Sequence, residues 1–414
     1  MKFFDAPLEL LESTKLIDRF VEYAKIETTS DGNSEKCPST DRQFELAHLL
    51  VAQLKGFGVS DAAVDESCYV TATVPGKGPK AIGLIAHLDT SPAASGKDVK
   101  PTFHQKYDGK PIRLGAGVVI DPKDNPDLAR CVGDTIITAD GTTLLGADDK
   151  AGIAVIMAAV EHLMAHPELP RPTIKIGITP DEEIGRGHAK FPLDRFGADV
   201  AFTLDGTFDG EINIETFEAY SAFVTVKGVS THPGTAKGKM VNALRYMAKL
   251  LDRLPEGARP ERTEGREGFI HPIELSGDAT SCKCHLILRD FEEAKVKALG
   301  EELKAIAAKV AAEEPRLKID VDIQFSYPNM HKFLKDKPEI RERLEAAVRG
   351  AGLTPDLVPI RGGTDGASLS RKGLPTPNIF AGGMNFHGPT EWISTRSMGL
   401  ALCTVLNLLG LYAK

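Results

Sequence analysis

The run AIGLIA at residues 81–86 is apolar without a break, the pattern of a strand buried on both faces of a sheet. Such a strand needs helices above and below it, so this stretch confines the chain to layered α/β architectures. The flanking signals agree. Strand-like runs recur at 68–74 (CYVTATV), 135–138, 143–145, 173–178 (TIKIGI) and 200–204. An opening helix carries Leu16, Phe20, Val21 and Tyr23 at helical spacing, and a second runs from Thr40 through Leu54 with Ser39, Thr40 and Asp41 available as caps. Residues 150–164 are apolar nearly all round and predict a buried helix, and a further helix is expected near 188–196. Residues 91–130, rich in Pro, Gly and Asp, read as a surface excursion.

The pattern changes after Gly210. Strands at 217–227, 269–276, 282–290 and 317–325 enclose helices at 240–254 and 291–314, the β-α-β-β-α-β order of a split ferredoxin-like unit. The remainder returns to helix, loop and apolar runs such as NIFAGG. With 414 residues the chain exceeds one ordinary core. The expectation is therefore α/β: a mixed sheet flanked by helices, made by residues 1–215 and 329–414, with an inserted ferredoxin-like lid domain at 216–328.

Composition narrows the partners. At 42% hydrophobic and 26% charged the chain has the make-up of a soluble globular protein, and a formal net charge of −8 argues against nucleic acid. No apolar run approaches a bilayer span. Asp5, Glu9 and Glu12 interrupt the opening stretch, which lacks a small-residue cleavage site, so a secretory signal is not expected. Six scattered cysteines give no disulfide framework, and Cys282 and Cys284 read as partly buried thiols on one strand face. The expected compartment is the cytoplasm.

Chemistry gathers where strands end. In AHLDT, His87 and Asp89 close the 81–86 run; in FTLDG, Asp205 closes another; after NIFAGG comes His387 in NFHGPTE. Ligands in α/β sheets bind at such carboxyl ends. Asp148 and Asp149 in LLGADDKAG precede the buried helix, where one N-terminal carboxylate is ordinary capping but two are more than capping requires. TPDEEIG adds Glu182 and Glu183, a charge density no turn needs for structure. Two histidines and several carboxylates without sulfur suit zinc, cobalt or manganese, and five ligands suit two cations sharing one carboxylate. Calcium or magnesium would leave the histidines without a purpose. THPGTAKG at 231–238 lacks phosphate-loop spacing. His48, His104, His162, His166, His188, His271, His285 and His331 read as packing or surface residues.

AHLDTSP, LLGADDKAG, TPDEEIG, HPGTAKG, LRDF, IRGGTDGA and NFHG stand in the order found in the co-catalytic dinuclear zinc exopeptidases, related to glutamate carboxypeptidase and aminoacylase. The resemblance runs from about residue 15 to the end and is closest to the tripeptide aminopeptidases of that family. It implies two Zn2+ ions, with cobalt or manganese as substitutes: His87 and Asp205 on one, Glu183 and His387 on the other, and Asp148 bridging. It further implies that Asp89 orients His87, that Glu182 is the general base on the shared water, and that the Asp148–Asp149 peptide is cis. In the inserted domain His232 would stabilise the oxyanion, which would require domain closure or a neighbouring subunit, while Arg289 and Arg361 would bind substrate, its carboxylate through bidentate contacts. The expected partner is a small peptide with a free N-terminus, with no nucleic acid and no membrane; a strand edge of the insert leaves a homodimer open. A carboxypeptidase or an N-acyl amino-acid deacylase would keep every metal residue and differ in the pocket. An inactive peptide-binding protein would have lost Glu182 or a ligand, and none is missing.

Overall fold

A computed structural model describes residues 7–414; Asp5 lies outside them. The chain divides into two compact units. The first comprises the chain up to Ile214 with Phe333–Val358 and Thr364–Lys414. The second comprises Glu215–Lys332 with Pro359–Gly363. The last five residues join the second unit although the sequence pattern assigns them to the end of the first. The Ile360 N–H donates to the Glu215 carbonyl and the Ile360 carbonyl accepts from the Phe217 N–H, stitching the segment to the start of the insert.

The first unit is built on an eight-stranded mixed sheet. Its centre is the parallel set Thr173–Thr179, Ala81–His87, Val200–Gly206 and Asn378–Phe380, neighbours in that order. Being parallel, all four finish on the same edge. Ala81–His87 is buried along nearly its whole length, as AIGLIA requires. One cover is helix Ala147–Ala165, with Thr395–Tyr412 and Leu16–Ala24 packed on it. Another cluster joins Ile85 and Ala201 to Phe191, Phe196 and Leu369.

Several local expectations need correction. Helix Gln43–Gly56 starts after Arg42 without a side-chain cap, because Ser39 spends both its N–H and its hydroxyl on the buried Asp181 carboxylate. The helix near 188–196 shrinks to Leu193–Phe196, stopped by Gly197 at φ 65°. Residues 143–145 are not a strand: the Leu144 N–H bonds the Ser95 carbonyl, and the Leu145 N–H bonds Glu391. The 91–130 excursion is more than surface. Its strand Thr102–His104 closes a second sheet, ordered Gly383–Met384, Trp392–Ser394, Ile136–Thr138, Thr102–His104. His387 sits in the connection between the first two of these strands.

The second unit has antiparallel strands Glu218–Lys227, Phe269–Gly277, Ser281–Asp290 and Lys318–Tyr327, ordered second, third, first, fourth. Helices Ala243–Asp252 and Glu293–Ala312 pack on this sheet through Met247, Leu250, Leu303 and Val310. Cys282 and Cys284 fall on the same helix-covered face and are buried, not merely partly so.

Candidate metal centre

Four strand ends and one helix start deliver the side chains. His87 is the last residue of its strand and is buried. Asp205 lies one residue before the end of Val200–Gly206, where its N–H is held by the Asn378 side chain. Glu182 and Glu183 form the short turn after Thr173–Thr179, entered through Asp181 at φ 58°. His387 takes φ 65°, a left-handed conformation that a non-glycine residue holds only when its surroundings fix it. The Asp148–Asp149 peptide is cis, and both residues depart from helical angles within the first turn of Ala147–Ala165.

These turns converge on Asp148. Its Oδ1 stands 2.8 Å from His87 Nε2, and its Oδ2 stands 3.1 Å from His387 Nε2, one oxygen to each histidine. Asp205 Oδ1 is 3.7 Å from His87 Nε2, and Glu183 Oε2 is 2.8 Å from His387 Nε2. Among the described residues two sets of potential ligand atoms occur, the atoms of each set lying within 4.8 Å of one another: His87, Asp148 and Glu183, and His87, Asp149 and Asp205. Asp149 is otherwise engaged. It accepts from the His87 N–H at 3.2 Å and the Gly152 N–H at 3.2 Å, and a Cβ at position 152 would lie 2.4 Å from its Oδ1. Asp149 therefore ties the helix start to the strand end, and Gly152 makes room for it.

Asp89 has a wider part than orienting His87. The ring Nδ1 is 3.4 Å from its carboxylate and 3.1 Å from its carbonyl oxygen. The same carboxylate accepts the backbone N–H groups of Glu182 at 2.9 Å and Glu183 at 3.2 Å. Asp89 thus meets the imidazole most closely through its backbone carbonyl, while its fully buried carboxylate fixes the acidic turn.

The electrostatics are those of a crowded, buried acidic site. Burial first, and then the Asp148 charge, raise the Glu183 carboxyl to about 7 and that of Asp205 to about 6. Glu182 is raised well above the ordinary carboxylate range by burial, with His87 opposing. Asp148 moves the other way: burial would raise it, but His387 and His87 together hold it low. Hydrogen bonding to Asp148 and Glu183 lifts His387 to about 10. For His87, burial lowers the pKa, and contacts with Asp148, Asp205 and Asp89 outweigh it and raise it well above normal.

The residues fit a pair of cations. Glu183 Oε1 is buried and has no hydrogen-bond partner among the described residues, a costly state for a carboxylate oxygen unless something else meets it. Donor atoms on one tetrahedral zinc are separated by about 3.3 Å, given bonds of about 2.0–2.1 Å. The nitrogen and oxygen donors here are spaced on that scale.

Sequence reasoning passed over several residues that hold this centre together. Glu391 accepts three backbone N–H groups of the 145–148 turn. Asp365 is buried, takes the Thr179 hydroxyl at 2.8 Å, and is raised by burial to about 7. Asp181 anchors Ser39 and Gln43. Both Glu391 and Asp365 sit in stretches already noted, NFHGPTE and IRGGTDGA, but no spacing rule marks them.

His232, Arg289 and Arg361 belong to the second unit. His232 is exposed, and its Nδ1 accepts from the Gly234 N–H at 3.1 Å. Arg361 has its terminal nitrogens engaged: they donate to the carbonyls of Gly265 and Glu267 and to the Thr263 hydroxyl, over the Phe217 ring. That clips the 263–267 turn. Arg289 donates from one terminal nitrogen to the Tyr220 and Leu288 carbonyls and stacks on Tyr327.

The model of peptidase family M20/M25/M40 matches residues 140–409. A Peptidase T of Geobacillus kaustophilus (strain HTA426) is 45% identical over 403 residues, covering 96% of this chain and 98% of the relative. A Peptidase T of Shouchella clausii (strain KSM-K16) is also 45% identical, over 97% and 98% of the two chains. Among solved structures, an aminopeptidase from Bacillus cereus ATCC 10987 superposes with a TM-score of 0.74 at 22% identity, covering 96% of this chain and 98% of that one. A Bacillus subtilis protein described as a dinuclear metal-binding peptidase of the M20 family gives 0.63 at 13% identity, covering 96% and 97%. At these identities the structural likenesses speak for the fold.

Proposed function

Taking as premise that the chain belongs to the M20/M25/M40 peptidase family, we propose that it is a two-cation aminopeptidase releasing the N-terminal residue from tripeptides. The supporting observation is the placement of Asp148, one carboxylate oxygen toward His87 and the other toward His387, with Glu183 and Asp205 completing two half-sites. His87 and Asp205 would hold one cation, Glu183 and His387 the other, and Asp148 both. The donor set suits zinc, with cobalt or manganese as substitutes. Bound there, the cations would polarise the peptide carbonyl and bring the pKa of a water toward neutrality.

The chain's own groups divide the rest of the work. Glu182, adjacent to ligand Glu183 and raised by burial, is the general base: it takes the proton of the attacking water and returns it to the departing amine nitrogen. Asp89 keeps that carboxyl in place through the Glu182 N–H. The oxyanion contact is assigned to His232 on the family resemblance alone. Of the two arginines, Arg289 is the more open to a substrate carboxylate, because Arg361 is committed to the 263–267 turn. All six cysteines are free thiols, which supports action in the reducing cytoplasm.

The test compares hydrolysis of a free tripeptide with its N-acetylated form, before and after chelation and zinc restoration. Cleavage of the free peptide alone, lost with chelator and regained with zinc, is the expected result. Cleavage of the blocked peptide instead would transfer the assignment to a carboxypeptidase or deacylase.

A further inference from the structure

Glu391 lies four residues beyond His387, immediately before strand Trp392–Ser394, and its side chain is buried. Its Oε2 accepts the Leu145 N–H at 2.6 Å and the Gly146 N–H at 2.9 Å; its Oε1 accepts the Asp148 N–H at 3.1 Å. Three backbone donors from one turn on a single carboxylate form an anion nest. Gly146 takes φ 78°, which lets the turn point those N–H groups inward. Nothing in a helix start alone would aim them there: Ala147–Ala165 has no side-chain cap at its N-terminus, and its first turn is bent away from helical geometry at Asp148 and Asp149. The turn is therefore held by a residue some 240 positions away in sequence.

The position of Glu391 adds a second consequence. The Glu391 N–H donates to the Gly388 carbonyl, and the Asn385 side chain donates to the Thr390 carbonyl, so 385–391 is one internally bonded loop. That loop carries His387 at one end and, at the other, the carboxylate that grips the Asp148 turn. Trp392 pairs with Thr138, which fixes the loop to the strand leading into the same turn.

We infer that Glu391 is a positioning residue for the metal centre: by gathering the N–H groups of Leu145, Gly146 and Asp148 it sets the Asp148 carboxylate between His87 and His387. This rests on the two-cation reading above. Partners of ligands at this remove affect cation affinity by about 10–100-fold when removed.

The experiment measures zinc affinity of the purified chain by competition with a chromogenic chelator, for the native protein and for Glu391→Gln and Glu391→Ala, alongside the melting temperature of each metal-free form. Gln offers a single acceptor oxygen and turns an NH2 toward one of the three donors, so its zinc affinity should fall by about tenfold, and that of Ala by up to about a hundredfold. Activity should return at high zinc with KM unchanged. Should Glu391→Ala fail to fold, Glu391→Gln decides alone. A folded Glu391→Gln protein with zinc affinity within twofold of native overturns the inference, whether or not its metal-free melting temperature drops. Failure of the native chain to bind zinc at all would instead remove the metal reading beneath it.

Discussion

Asp89→Asn is the sharpest single perturbation of this site. The substitution changes one oxygen into an NH2 group at constant shape, inside a position with no solvent exposure. Asp89 serves two backbone donors, the N–H groups of Glu182 at 2.9 Å and Glu183 at 3.2 Å. An asparagine can satisfy one and must present an N–H to the other, which is then a buried donor facing a donor. A hydrogen bond to a charged group contributes about 1.5–3 kcal/mol, and a stranded buried N–H costs about 1–3 kcal/mol. Because these describe one event counted from two sides, they are not added, and the expected loss is about 1.5–3 kcal/mol. The assay is denaturant unfolding of the metal-free protein, where no cation can hold the turn. With zinc restored, kcat should also fall, by about a hundredfold or more, because Glu182 swings with its backbone. A metal-free stability within about 0.5 kcal/mol of native, together with native kcat, would show that Asp89 does not hold the acidic turn.

Three further outcomes are expected. Glu182→Ala should retain zinc by elemental analysis and lose about two to four orders of magnitude in kcat; retained turnover would remove Glu182 from its role as base. His232→Ala should lower kcat with metal content intact, and a fall in bound zinc would place that residue at the metals instead. Zinc binding should strengthen with pH. His387, raised to about 10, and Glu183, raised to about 7, hold protons that the cations must displace, and each displaced proton costs about tenfold in affinity per pH unit. The rise in melting temperature on adding zinc should therefore be larger near about pH 7.5 than near about pH 6, and equal rises would refute the assignment of these groups as ligands.

Much of this was written locally. AIGLIA and its neighbours announce a two-sided buried sheet because burial on both faces leaves no room for polar alternation, and the ferredoxin-like insert shows through its alternating strands. His87, Asp205 and His387 stand out because each follows an apolar run, and such runs end at one edge of a parallel sheet. Ser39 shows the limit of local signals: its cap-like context is real, yet Asp181, far along the chain, claims its hydroxyl. The short strand expected at 143–145 failed for the same reason, with Glu391 taking the N–H that a ladder would have used.

By itself the sequence determined the buried parallel strands, the main helices and the alternating insert, and it marked the polar side chains that follow apolar runs, since propensity, period and apolar length act within a few residues. Only the tertiary structure decided what holds those side chains still. Asp89 on the acidic turn and Glu391 on the Asp148 turn satisfy backbone donors from distant segments, and Arg361 does the converse, donating to the carbonyls of the 263–267 turn. A buried backbone group must be paired, but nothing in its own neighbourhood says by whom.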